Sequence, residues 1–313
     1  IDDFTTFDPL DFAQANYLPD ETVAVINLEG GIAIFGERST EYWVDSGGDD
    51  FPFTRTTTRE VGCAAGASVT RVDRGVMFIA HDRTVRLMAG YDAQKVSNAG
   101  VDRWLEAADL STVEAFSWQA AGHTFYALSV GGPRDRLDGM SNTFVYDLTT
   151  GKWHERESYD YTRWFASCYA FHGGRHIIGD DVGRLHIMSD AYHTESGAPL
   201  IVDVQPAPLN SFPSRAIIHR MFADVVPGVG TDASTVPDEI EPQIFLQWSD
   251  DGGRNFGGER GKQIGGEGEY RKRVQWHRLG LVRSTGRIWR FRSSAPVVRA
   301  ILAASIDVEP LAA

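Results

Sequence analysis

An apolar strand that begins at or beside a glycine recurs along the first two thirds of the chain. It starts at Gly31 (GIAIF), Gly75 (GVMFI), Gly122 (GHTFYAL) and Gly174 (GRHIIG), at intervals of 44, 47 and 52 residues. A four-stranded propeller blade takes about 40 to 50 residues. One blade cannot bury both of its faces alone, so stacked blades must cover each other. The spacing therefore predicts an all-β chain built around a β-propeller.

A second strand follows each glycine-led strand, at residues 39–43, 84–88, 143–148 and 184–188. In the third unit a turn at Gly151 leads to Trp153, the arrangement of kelch-type blades, in which the Trp packs between blades. Helical periodicity is scarce, and the one fair helix candidate runs over residues 98–110. We therefore predict kelch-like four-stranded blades, six or seven of them in the complete chain.

The repeat loosens after residue 204, which divides the chain into three parts. Propeller blades are predicted over residues 1–205, and a linker or loop rich in Pro, Gly and acids over 206–242. A C-terminal β segment over 243–313 either closes the propeller or forms a small sheet appended to it. The chain opens with Ile1 rather than Met, which indicates that an upstream part is absent.

Charge is distributed unevenly over this chain of net charge −13. Residues 254–299 carry 12 Lys plus Arg against three acids, so the remainder is strongly acidic. The acidic bulk argues against a protein that wraps nucleic acid, because phosphate binding needs clustered Lys and Arg. The basic part is expected to meet an acidic neighbouring subunit or phosphate, or else to be a solvated basic face. No apolar run approaches the ~20 residues of a membrane span.

Ser249, Asp251, Gly253 and Phe256 fit an Asp-box, Ser-x-Asp-x-Gly-x-x-aromatic. This spacing builds a hairpin turn in which Ser and Asp bind local backbone N–H groups and Gly takes the positive φ. In sialidase-like propellers such a box has no catalytic role. We interpret these four residues as a structural turn.

No motif assigns a catalytic, cofactor-binding or metal-binding residue. His172 and His176 are four apart, but Gly173 and Gly174 place a turn between them, which favours ordinary polar contacts over a metal pair. Cys63 and Cys168 are far apart in apolar stretches and are expected to be reduced, buried thiols. The chain has no nucleophile elbow, phosphate loop or dinucleotide fingerprint.

Several stretches, in order along nearly the whole chain, resemble the packaged-DNA stabilisation protein of short-tailed phages, the tail hub or nozzle. The most specific is FGERSTEYW at residues 35–43. No stretch of this sequence matches the start of the family's chain. Residues 227–242 of this sequence match no stretch of the family. The other similar stretches are residues 7–15, 51–53, 62–65, 145–156, 175–180, 246–253, 268–271 and 275–280.

The resemblance implies a non-enzymatic virion protein made in the bacterial host cytoplasm. It implies a ring of six subunits below the portal and adaptor rings, without cofactors. The ring extends the DNA channel, helps retain packaged DNA, and contacts a tail needle or plug and the tailspikes or fibres. Arg271, Lys272 and Arg273 are then candidate subunit contacts. Two alternatives remain: a sialidase-like propeller glycoside hydrolase, and a cellular kelch-type protein-binding module.

Overall fold

The computed structural model describes residues 14–47, 51–132, 141–208, 214–231 and 234–311. The chain divides into two compact units, Ile1–Met188 and Ser189–Ala313. Both are built almost entirely of antiparallel strands. Of the stretches that carry the family resemblance, residues 7–13 lie outside the described part.

The first unit is a series of four antiparallel sheets, each made of strands that are consecutive in the chain. The first three sheets have four strands and the fourth has three. The strands are Thr22–Leu28 (β1), Gly31–Gly36 (β2), Thr40–Asp45 (β3) and Phe53–Arg59 (β4); Thr70–Val72 (β5), Gly75–Ile79 (β6), Val85–Ala89 (β7) and Asp92–Lys95 (β8); Glu114–Ala120 (β9), His123–Ser129 (β10), Thr143–Asp147 (β11) and Lys152–Glu155 (β12); Ala166–His172 (β13), Arg175–Asp180 (β14) and Leu185–Met188 (β15).

The four sheets are the predicted blades, and the predicted order and spacing of their strands are confirmed. Each glycine-led segment supplies the second strand of a sheet (β2, β6, β10 and β14), and each following segment supplies the third. Successive sheets share apolar cores, first with second, second with third, and third with fourth. Strand β6 shows why a continuous apolar run is needed. Phe78 packs on Phe35 of the first sheet, with ring centroids 4.8 Å apart, while Met77 and Ile79 face the third.

The recurring glycine has a steric cause in the first two blades. A Cβ added to Gly75 would lie 1.9 Å from the carbonyl oxygen of Met88, and one added to Gly31 would lie 2.2 Å from that of Trp43. Gly75 also has φ of +146°, which L-residues rarely adopt. The neighbouring strand therefore approaches too closely for any side chain at these positions.

Within the described ranges, one helix has more than two turns: Ala99–Ala107 (α1), which packs between the second and third blades. It begins where the sequence predicts, because the Asn98 side chain accepts hydrogen bonds from the N–H groups of Gly100 and Val101 at 3.0 Å each. Trp104 and Leu105 on its inner side are fully buried.

The fourth blade has one uncovered face. Leu185 is 77% exposed and Ile187 is 53% exposed, and both share this face with Cys168 and Ala170. The expectation of two buried thiols is therefore wrong for Cys168, whereas Cys63 is buried and burial raises the pKa of its thiol. A total of six or seven blades stays a prediction.

The second unit is a sandwich of two sheets with a short separate hairpin. The four-stranded sheet has the order β18-β23-β20-β21 and the three-stranded sheet the order β22-β19-β24. Met221 and Trp276 from one sheet pack with Leu246 and Phe291 from the other in a single core. The elements are Thr194–Glu195 (β16), Ala198–Pro199 (β17), Val202–Val204 (β18), Arg215–Val225 (β19), Pro237–Ile240 (α2), Gln243–Ser249 (β20), Arg260–Gln263 (β21), Val274–Val282 (β22), Ile288–Ser293 (β23) and Ile301–Leu311 (β24).

The structure differs from the prediction at residues 206–242, which were expected to be a linker or loop. They contain β19, the eleven-residue central strand of the three-stranded sheet. The apolar residues of β19 form two runs of three, separated by His219 and Arg220, and a register shift between Ile218 and Arg220 breaks the alternation that would indicate a strand. Among the described residues, no helix is long and apolar enough to cross a membrane.

Candidate assembly surfaces

The Asp-box-like turn joins β20 to β21 at the end of the sandwich. The Ser249 hydroxyl accepts from the N–H of Gly253 at 2.9 Å and donates to the Asp251 carboxylate at 2.6 Å. The same carboxylate accepts from the Asn255 N–H at 2.9 Å. These hydrogen bonds hold the pKa of Asp251 far below its usual range, and the bond from Ser249 has the largest effect. Phe256 packs beneath the Arg290 guanidinium, 3.9 Å from the ring centroid.

Arg287, a buried arginine that belongs to no predicted motif, connects this turn to the opposite sheet. Arg287 binds both carboxylate oxygens of Asp250, at 2.6 and 2.9 Å. It also donates to the carbonyl oxygens of Leu279 and Leu281, at 2.6 and 3.0 Å. Its guanidinium stacks 5.0 Å from the ring centroid of Trp248. One side chain thus links β20, β22 and the start of β23.

The basic triplet before β22 is not uniform. Lys272 is partly buried and binds Glu269 at 2.7 Å and Gln263 at 3.0 Å within its own chain. Arg271 and Arg273 are exposed, and no carboxylate of the described part of the chain pairs with either. Of the three candidate contact residues, Arg271 and Arg273 are therefore exposed, whereas Lys272 is bound within its own chain.

Strand β24 forms the opposite edge of the same sheet. It pairs with β19 along its whole length, from Ile301 to Leu311, and no other strand in the described ranges pairs with its second edge. Its Asp307 binds Arg220 at 2.8 Å and its Glu309 binds His219 at 2.8 Å. The sequence signal that could have found this edge is Pro310, because a proline inside a sheet is largely confined to edge strands.

The histidines near residue 180 do not form a shared site. His176 lies 2.9 Å from the Tyr169 hydroxyl, and His186 lies 3.1 Å from the Asp180 carboxylate. His172 sits at the far end of the same hairpin, opposite Arg175. Across the residues that the structure describes, no group of three or more His, Cys, Asp or Glu is placed to hold a metal ion.

Comparison with known families accounts for both units. The family model described as bacteriophage P22 Gp10, β-propeller, matches residues 1–191. The model described as bacteriophage P22 Gp10, β-sandwich, matches residues 209–309. The chain belongs to the bacteriophage P22 Gp10 family. The family resemblance inferred from the sequence is thereby confirmed, as is the propeller fold, with a β-sandwich as the C-terminal β part.

Membership in the P22 Gp10 family makes the chain a structural protein of the phage tail, of the kind that stabilises packaged DNA. No curated protein matches the chain. The structural similarities are weak. The computationally designed Ika4 protein has a TM-score of 0.34 at 13% identity, over 56% of this chain and 94% of that one.

An exo-β-1,3-galactanase from Phanerochaete chrysosporium, solved with galactose, has a TM-score of 0.31 at 9% identity. The similarity spans 91% of this chain and 79% of the galactanase. TM-scores this low carry no argument about function. The glycoside hydrolase alternative therefore gains nothing from the comparison, and the P22 Gp10 family supports the structural role.

Proposed function

We propose that this protein is a subunit of the tail nozzle, a ring of six copies that extends the DNA channel below the portal and adaptor rings. The observation that carries the proposal is the match of both P22 Gp10 family models, in order, to the two units of one chain. The ring helps to retain packaged DNA and is a platform for the tail needle and the tailspikes or fibres. The subunit is made in the host cytoplasm, ends in the virion and catalyses no reaction.

The charge of the propeller unit supports a channel role. Ile1–Met188 contains 16 Lys plus Arg and 28 Asp plus Glu, a net charge of −12, whereas Ser189–Ala313 contains 14 and 15, a net charge of −1. An acidic wall repels phosphate and lets double-stranded DNA slide, while a basic wall would bind it. The protein then meets passing DNA without recognising its sequence.

The Asp-box-like turn has a structural role in this proposal. Its polar groups bind each other and the local backbone rather than pointing into a cavity. Exposed Arg271 and Arg273 serve subunit contacts, whereas Lys272 stabilises the turn before β22 through Glu269.

The proposal is tested on particles. Gold-labelled antibody against the protein should mark a single tail vertex in electron micrographs of purified phage. A nonsense mutant of its gene should package DNA but lose it, and supplying the intact protein should restore filled heads. Label away from the vertex, or full and infectious particles without the protein, would refute the proposal.

The enzyme alternative has its own assay. Purified protein and purified particles should release no chromophore from a panel of aryl glycosides under conditions in which a control galactanase does so. Turnover that persists through repurification would contradict a purely structural role.

A further inference from the structure

The two edges of the three-stranded sheet carry opposite charge. Residues 270–286, which contain the edge strand β22, hold five Lys or Arg and no acid. Residues 300–311, which contain the edge strand β24, hold two acids and no base. Since β19 separates β22 from β24, the sheet has a basic side and an acidic side.

The acidic side is an open strand edge. Such an edge presents a row of unpaired backbone N–H and C=O groups, and proteins usually protect it with Lys, Pro or a short length. Strand β24 is eleven residues long, and its Pro310 lies next to its end. Leu302 is 67% exposed and Val308 is 41% exposed, so apolar surface accompanies the open backbone.

The acids of β24 retain binding capacity although each has a partner within the chain. Asp307 and Glu309 keep 41% and 58% of their side-chain surface exposed beside Arg220 and His219. A carboxylate offers about four lone-pair positions, so it can accept further donors from another molecule.

The basic side carries several exposed arginines. Arg271, Arg273, Arg278 and Arg283 are exposed, and none has a carboxylate partner in the described ranges. Arg260 donates to the carbonyl oxygens of residues 277 and 278 at 3.4 Å each, the limit of a hydrogen bond.

We propose that identical subunits join through these two edges, with the acidic edge β24 of one copy lying against the arginine-flanked edge β22 of the next. Charge complementarity selects a second copy as the occupant, because each copy carries both halves of the contact. A contact between two different surfaces repeats from copy to copy and closes into a ring when the rotation allows. The inference rests on the proposed function, which requires such a ring.

A charge-swap experiment tests the contact. The first variant of the full chain carries Arg271→Glu and Arg273→Glu, and the second carries Asp307→Lys and Glu309→Lys. Each variant alone should associate at least about tenfold more weakly than the wild type in sedimentation and native mass spectrometry at low salt. Their equimolar mixture should recover assembly, with the two variants alternating around the ring, because both reversed edges then meet a complement.

A control matched to the first variant carries Arg254→Glu, in the turn after β20, and Lys262→Glu, in β21. It changes net charge by the same amount and should leave assembly unchanged. Thermal melts check that each variant folds. If the β24 variant does not, Ala303→Lys with Ser305→Lys adds two positive charges to the same strand, half the charge change, without removing an ion pair.

Wild-type-like assembly of each variant alone, or folded variants whose mixture stays dissociated, would overturn the proposed contact. If either result is found but a ring of this protein is still seen on native particles, the proposed contact is refuted and the proposed nozzle function is not. Absence of any ring of this protein on native particles would instead refute the proposed function.

Discussion

Arg287 gives the sharpest test of how the sandwich is held together. Its side chain is only 4% exposed, while that of its partner Asp250 is 41% exposed. Replacing Arg287 with Ala removes a buried cation and leaves the carbonyl oxygens of Leu279 and Leu281 without their donor. We expect Arg287→Ala to lower the free energy of unfolding by about 3–5 kcal/mol, because two carbonyl groups lose a donor, at about 1–3 kcal/mol each, and the stacking on Trp248 is lost.

Asp250→Ala should cost much less, about 1 kcal/mol, because Asp250 is partly solvated and the arginine keeps both carbonyl acceptors. Arg287→Lys should fall between them, since an ammonium has three donors on one nitrogen and cannot reproduce the four hydrogen bonds of the planar guanidinium. Hydrogen exchange of peptides from residues 243–293 along a urea series isolates the sandwich from the propeller. If Asp250→Ala and Arg287→Ala cost the same, the ion pair rather than the backbone contacts holds the structure, and our reasoning is wrong.

Three further outcomes are expected. Gly75→Ala should lower the free energy of unfolding by at least about 4 kcal/mol, because the added Cβ would collide with a backbone carbonyl. Gly122→Ala should lower it by about 1 kcal/mol, because Gly122 has a positive φ but lies in open space. Equal urea midpoints for the two variants would contradict this. Trp153→Phe should cost about 1 kcal/mol in the same titration, through loss of the 2.9 Å indole bond to the second blade. The stabilising effect of the Asp251 carboxylate is present above its unfolded pKa and is lost only as pH falls through its lowered folded pKa. The Asn255 amide, which donates to this carboxylate, should therefore stay protected from exchange at pH 3, and early loss of protection would refute the assignment.

The propeller could be predicted from the sequence because its determinants are local. A glycine, an apolar strand and a second strand recur at intervals of 44 to 52 residues, and each strand needs only its own neighbours to form. The helix at residues 98–110 was predicted for the same reason, since the Asn98 cap and the apolar spacing are both visible in one short segment.

The prediction failed where distant segments decide the outcome. Strand β19 lies in a stretch rich in Pro and acids, and its central place depends on pairing with β22 and β24, more than fifty residues away. Cys168 is exposed because its side of the fourth blade is uncovered, although its local sequence is apolar. Arg287 carries no motif at all, and its importance arises from four acceptors brought together by folding.

The sequence by itself determined the repeat, the all-β class, the Asp-box-like turn and the family resemblance, because each is encoded in short-range spacing. The tertiary structure alone decided which charges share an edge. Residues 271–273 are only a basic run in the sequence. They become one side of a sheet with an acidic opposite edge because β19 pairs with a strand on each side, and strand pairing brings together residues that chain distance keeps apart.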